Sequence, residues 1–221
     1  MTIIVNGSNT PTAGAVGYGD GTNLAFTSAG TTGQFLSSNG SSAPSWVGAP
    51  ASAMTLISTQ TANNTSAFLS WTGLSTYKFY VLILKTLVCS STGNLLYLQF
   101  GEGVTPTWDT SSYAYSNMRN NPTASIVQYA NSTSDSGLAI GIMNSTTNQD
   151  GITGWINIGD LTSSTSYKST GGIITAVYAG TAYTYFHGGE YNGNSNVITA
   201  IRLNATGNII SGTASLYGIS S

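Results

Sequence analysis

The side chains able to do acid–base, nucleophilic or metal chemistry are few: seven Asp or Glu, five Lys or Arg, one histidine and one cysteine in 221 residues. Paired carboxylates are what glycoside hydrolysis uses. Glu102 and Asp109, at the two ends of the Gly103–Trp108 loop, are the one pair placed to face each other. A solvated loop is the simpler reading of the same residues. Asp150 and Asp160 stand beside glycines, where an aspartate bonds its own backbone at a strand end. His187 lies about a hundred positions from Cys89, and no Gly-x-Ser-x-Gly occurs in a strand–turn–helix setting, so neither a thiol nor a serine nucleophile is assembled. One His and one Cys cannot make a zinc cluster. Gly19-Asp20-Gly21-Thr22-Asn23 resembles part of a calcium loop but brings a single carboxylate. No catalytic residue, metal ligand or cofactor is expected.

A better case for a site is Tyr183-Thr-Tyr-Phe-His-Gly-Gly-Glu-Tyr191. Tyr183, Tyr185, His187, Glu190 and Tyr191 form a candidate surface for a glycan, rings stacking on sugars and polar groups bonding their hydroxyls. The alternative is that tyrosines at period two pack one face of a sheet.

Charged residues make up 5% of the chain and the net charge is −2, which gives no field to attract nucleic acid or an anionic membrane. No apolar run approaches the ~18 residues of a membrane helix. The N-terminus lacks the basic and apolar regions of a signal peptide, so the product is expected to be made in the cytoplasm. One cysteine excludes an intrachain disulfide framework; Cys89 ends an apolar run and reads as a small buried hydrophobe. Hydrophobic residues nevertheless reach 40%, with 13 Tyr and 4 Trp, enough for a core. A surface this poor in charge suits a protein that buries area against copies of itself.

The elements that would position these groups change character near residue 50. Residues 1–53 are mostly Gly, Ser, Thr, Ala and Asn, and read as an extended arm of short strands and turns with no core of its own. Phe26, Phe35, Leu36, Trp46 and Val47 are its bulky residues and the candidate contacts for oligomerisation. Residues 54–221 carry about ten short runs rich in Val, Ile, Tyr and Thr between turn signals. Tyr77–Val88, the most apolar, is expected to be a central strand covered on both faces. Thr92-Gly93-Asn94 and Asn148-Gln149-Asp150-Gly151 read as hairpin turns. Only Ser111–Arg119 could hold a helical turn. Without helical crossovers the strands must be antiparallel, which predicts an all-β fold: an extended N-terminal arm, then a β-sandwich of jelly-roll type.

The segment from Gly30 to Trp46, GTTGQFLSSNGSSAPSW, resembles one found in tailed-bacteriophage fibres and other virion surface proteins, where Gly-x-x-Gly-Gln-x-Leu-x-Ser-x-Gly precedes Pro-x-Trp. Gly19–Phe26 fits the same context. Ile198–Leu203 and Gly207–Ile219 resemble a β domain of similar phage proteins. The resemblance implies a homotrimeric structural protein of the virion, joined to other virion proteins through its arm. A short fibre or tail-tip component displaying its β domain for host attachment is the leading expectation. A capsid decoration protein is the close alternative, and a glycan-active enzyme a more distant one.

Overall fold

The computed structural model describes residues 12–49, 53–90, 93–120, 127–143, 151–178, 181–193 and 196–220, and within them every regular element is a strand. The Asn148–Gly151 turn expected from sequence lies mostly outside them. The chain divides into two compact units, residues 1–51 and 52–221.

The first unit holds two hairpins. Strands β1 (Gly17–Gly19) and β2 (Leu24–Phe26) pair antiparallel, as do β3 (Gln34–Asn39) and β4 (Ser42–Gly48). The β1–β2 turn is closed by Asp20, whose Oδ1 accepts the backbone N–H groups of Thr22 (2.8 Å) and Asn23 (2.6 Å). Those two bonds hold its carboxyl below the usual range. In the second hairpin Leu36 stands opposite Trp46 and Phe35 opposite Val47. The Trp46 indole N–H donates to Ser28 O at 2.7 Å and to Thr27 Oγ1 at 3.2 Å. The ring lies against Gly30, where an added Cβ would come within 2.6 Å of it. That contact explains a glycine at this position. None of residues 12–49 is buried, and Phe35 and Leu36 are exposed.

Among its described residues the second unit has thirteen strands in two sheets, all pairings antiparallel. The larger sheet runs β11 (Val127–Asp135), β10 (Tyr113–Asn120), β15 (Thr181–Tyr191), β14 (Lys168–Tyr178), β13 (Ile152–Ile158), β7 (Phe79–Cys89), β17 (Ile209–Ile219) and β5 (Met54–Thr61). The smaller runs β12 (Leu138–Met143), β8 (Asn94–Glu102), β16 (Ala200–Ala205) and β6 (Phe68–Thr72), with β9 (Thr107–Trp108) on β8. Alternation supplies the interior. Leu82 and Leu84 of β7, Ile156 of β13, Ile174 of β14 and Leu216 of β17 share one apolar cluster with Leu96, Leu98 and Phe100 of β8, Leu138 and Ile140 of β12, and Ile201 and Leu203 of β16. Each such side chain removed from water stabilises the fold by about 1.5–3 kcal/mol.

Three sequence expectations are corrected. Tyr77–Val88 does become a central strand, β7, but over Phe79–Lys85 only one face is covered: Tyr80, Leu82 and Leu84 are buried while Phe79, Ile83 and Lys85 are exposed. Ser111–Arg119 is not helical; most of it is β10, held between β11 and β15. The turn before Asn94 joins no hairpin, because β7 and β8 belong to different sheets. Near the end of β7, Thr86 takes a positive φ of 50° at a register shift opposite β17. Gly212 (φ 97°) passes so close that a Cβ would meet Thr86 O at 2.2 Å, so only glycine fits there.

Candidate functional site

Strand β15 carries all five residues expected to bind a glycan, and alternation splits them between its faces. Tyr185, His187 and Tyr191 point inward, with 5%, 5% and 2% of their surface accessible. Tyr183 is half-buried and Glu190 exposed. Three of the five are thus unavailable to a sugar, and the period-two tyrosines of this strand mostly fill the core. Tyr183 and Tyr185 flank Arg119 of β10, whose guanidinium sits 4.7 Å above the Tyr183 ring and 5.9 Å from that of Tyr185.

His187 anchors a buried polar chain. Asn117 Nδ2 donates to Ala139 O at 2.5 Å, which turns its Oδ1 toward His187 Nδ1 at 2.8 Å. Nδ1 therefore carries the imidazole proton, and Nε2 accepts from the Thr170 hydroxyl at 2.9 Å. Burial holds the ring's pKa down to about 4. Among the described residues no carboxylate bonds His187, and the chain ties β10, β14 and β15 to β12.

Glu102 and Asp109 do come near each other. Burial and then the charge of Glu102 raise the Asp109 carboxyl above its usual value, against a stabilising bond from Tyr191. Among the described residues Asp109 Oδ2 and Glu102 Oε1 are both buried without a hydrogen-bond partner, while Asn196 Nδ2 donates to Glu102 Oε2 at 2.9 Å. The Tyr113 hydroxyl accepts the N–H of Phe100 at 2.8 Å and donates to Asp109 O at 3.3 Å. These tyrosines are closed in by the ring cluster of Phe100, Tyr113 and Tyr191, so the pair forms part of a packed loop anchor. Lys168, opposite Tyr191 in the ladder, is fully buried. Its ammonium donates to Ser163 O and to Ser166 O, and burial lowers its pKa. Among the described residues no three His, Cys, Asp or Glu groups converge as metal ligands. Cys89 is a buried free thiol whose sulfur accepts from Asn94 Nδ2 at 2.9 Å.

The residues expected in oligomer contacts, Phe26, Phe35, Leu36, Trp46 and Val47, all fall in β2, β3 and β4 of the first unit. Leu36, Trp46, Phe35 and Val47 share one hairpin.

Sequence reasoning missed the most conspicuous surface. The ladder places Ile83, Trp155, Ile173, Phe186 and Met118 side by side across five neighbouring strands, each the register partner of the next. All five are exposed, by 37–44%. The signal was present as alternation within each strand, but the row joins positions scattered from 83 to 186 and needs the strand order to be seen.

No protein-family model, curated protein or solved structure matches the chain.

Proposed function

We propose that the chain is a non-enzymatic structural protein of a tailed-bacteriophage virion, homotrimeric through its first unit and displaying its second unit outward, with a short fibre or tail-tip component as the leading form. The observation that carries this reading is the first unit itself: four strands are formed over residues 12–49 without one buried residue. An isolated two-stranded hairpin is marginal in water. Packing against another chain would bury its apolar side chains, and their uncharged Gly, Ser and Thr surroundings put no desolvated charge in the way. The resemblance of Gly30–Trp46 to segments of virion surface proteins supports the same conclusion.

For the second unit we propose a β-sandwich with jelly-roll connectivity. The orders β5-β17-β7-β13 and β6-β16-β8-β12 are those of the two four-stranded sheets of a jelly roll, with β9–β11 inserted between β8 and β12 and β14–β15 between β13 and β16. The shared apolar cluster between strands of both sheets supports face-to-face packing. Jelly rolls serve widely in capsids and in sugar-binding proteins, so the frame suits display and does not choose the ligand.

Quantitative mass spectrometry of purified particles of the encoding phage tests the assignment. Tens of copies or fewer are expected for a fibre or tip component, whereas hundreds assign the chain to capsid decoration. Absence from the particle overturns the virion reading. Release of reducing sugar from host polysaccharide by the purified chain, lost in Glu102→Gln, overturns the non-enzymatic one.

A further inference from the structure

We infer that the outward face of the eight-stranded sheet is a docking surface for a second copy of this chain, packed face to face about a twofold axis running across the strands. This goes beyond association through the first unit.

Four features of the face choose that occupant. Its centre is the row Ile83–Trp155–Ile173–Phe186–Met118, five large apolar side chains in unbroken register. Aromatic residues and methionine are enriched at the cores of protein interfaces, and charge is depleted there. Among the described outward positions of β7, β13, β14, β15 and β10 only Lys85 and Glu190 carry a charge, and the rows beside the apolar one are Asn157, Gly171, Gly188 and Ser116 on one side and Thr153, Thr175, Thr184 and Asn120 on the other.

The face also offers its own counterpart. Alongside the ridge made by Ile83, Trp155 and Ile173, over the same three strands and reaching β17, lies a hollow of about 340 Å³ lined by Phe79, Asn157, Gly159, Ser169, Gly171 and Ile219, among others. A twofold axis across the strands, set between ridge and hollow, places the ridge of each copy over the hollow of the other. That is the self-complementarity an isologous contact requires. In extent, eight strands at ~4.8 Å and four side-chain rows give a face of about 38 by 20 Å. This is close to the ~800 Å² per partner of a stable interface. A glycan chain would find two aromatic rings here, with three aliphatic side chains between and beside them, a poor stacking platform.

Glycine keeps the hollow open without being forced to. A Cβ at Gly171, in the lining, would lie 3.6 Å from His187 O, an ordinary contact. Gly171→Val therefore fills the hollow while sparing the monomer, and Thr175→Glu sets a charge beside the row at an already exposed position. Ile173→Lys removes part of the ridge.

The test is sedimentation equilibrium of the full chain at 1–100 µM, with these three variants and Trp46→Ala, each checked by thermal unfolding. A threefold first unit combined with a twofold face gives hexamers or larger even assemblies. Ile173→Lys, Gly171→Val and Thr175→Glu should each reduce these to trimers and raise the dissociation constant of the face at least tenfold, with unfolding temperatures unchanged. Dimers lost in the three variants would uphold the face and discard the trimer. Trimers indifferent to all three variants overturn the face and leave the trimer standing. A monomer at 100 µM overturns both. Retention on insoluble polysaccharide, lost in Trp155→Ala without self-association, assigns the row to a glycan and overturns the inference.

Discussion

His187 Nδ1 and Asn117 Oδ1 stand 2.8 Å apart in the interior of the second unit, and the amide's own bond to Ala139 O dictates which of the two donates. A neutral imidazole fits this site; an imidazolium is disfavoured by its burial. Since the folded pKa of about 4 lies below the ordinary ~6.5, the unfolded chain takes up the proton first. The contribution of a neutral His187 is complete above pH 6.5 and is lost as pH falls toward 4, worth about 3 kcal/mol in all. Urea unfolding between pH 7 and 4 should show this loss, and His187→Gln should flatten it. An unchanged slope in the variant would exclude the histidine as its source.

Asp109 acts with the opposite sign. Asp109 is raised above its usual value by burial and by Glu102, so the folded state holds its proton more tightly and the ionised form weighs against folding above pH ~4. Asp109→Asn, which keeps an oxygen for the Tyr191 bond, is expected to raise the melting temperature at pH 7. That gain should shrink below pH 4. Equal gains at both pH values would place its origin elsewhere.

Lys168 buries its charge against two loop carbonyls. Lys168→Ala leaves Ser163 O and Ser166 O without their donor and opens a cavity, which together should cost about 2–4 kcal/mol. Lys168→Met fills the cavity but cannot donate, and should recover part of the loss. Chemical denaturation of the three chains orders them.

Within the first unit, Trp46→Ala removes the ring that covers Gly30 and donates to Ser28 O. The expected result is a weaker homotrimer with an unchanged second unit, read as a tenfold or greater rise in trimer dissociation with the main thermal transition in place. Gly30→Val should act in the same direction, because its side chain would collide with the ring. A trimer as tight as wild type in both variants would detach this hairpin from oligomerisation.

The all-β class was legible in the sequence because turn residues recur between short alternating runs, as at Ile152–Ile158 and Ile209–Ile219. Strand neighbours were not. Phe79 and Cys89 end up opposite Ile219 and Ile209 respectively, partners separated by more than a hundred residues that no local pattern links. Tyr77–Val88 misled because Val81, Ile83 and Leu87 make the run apolar on both faces, although one face lies open. Ser111–Arg119 misled for want of β-branched residues; its tyrosines pair across strands instead. In the glycan candidate, the expectation joins residues of both faces in one surface, since Glu190 is out of phase with Tyr183, Tyr185, His187 and Tyr191, and sequence alone could not say which face turns inward.

The two inserted segments have a consequence for change over time. On the proposed jelly-roll reading, strands β14, β15 and β10, which carry Ile173, Phe186 and Met118, stand outside the eight-strand frame made by β5–β8, β12, β13, β16 and β17. That frame supplies most of the apolar interior, whereas the additions supply over half of the exposed row. Substitutions or exchanges within the additions can therefore remodel the outward face while the frame keeps its stability. The same scaffold is free to evolve new surface specificities by drift at the exposed positions of these strands, while their inward residues stay fixed by the core.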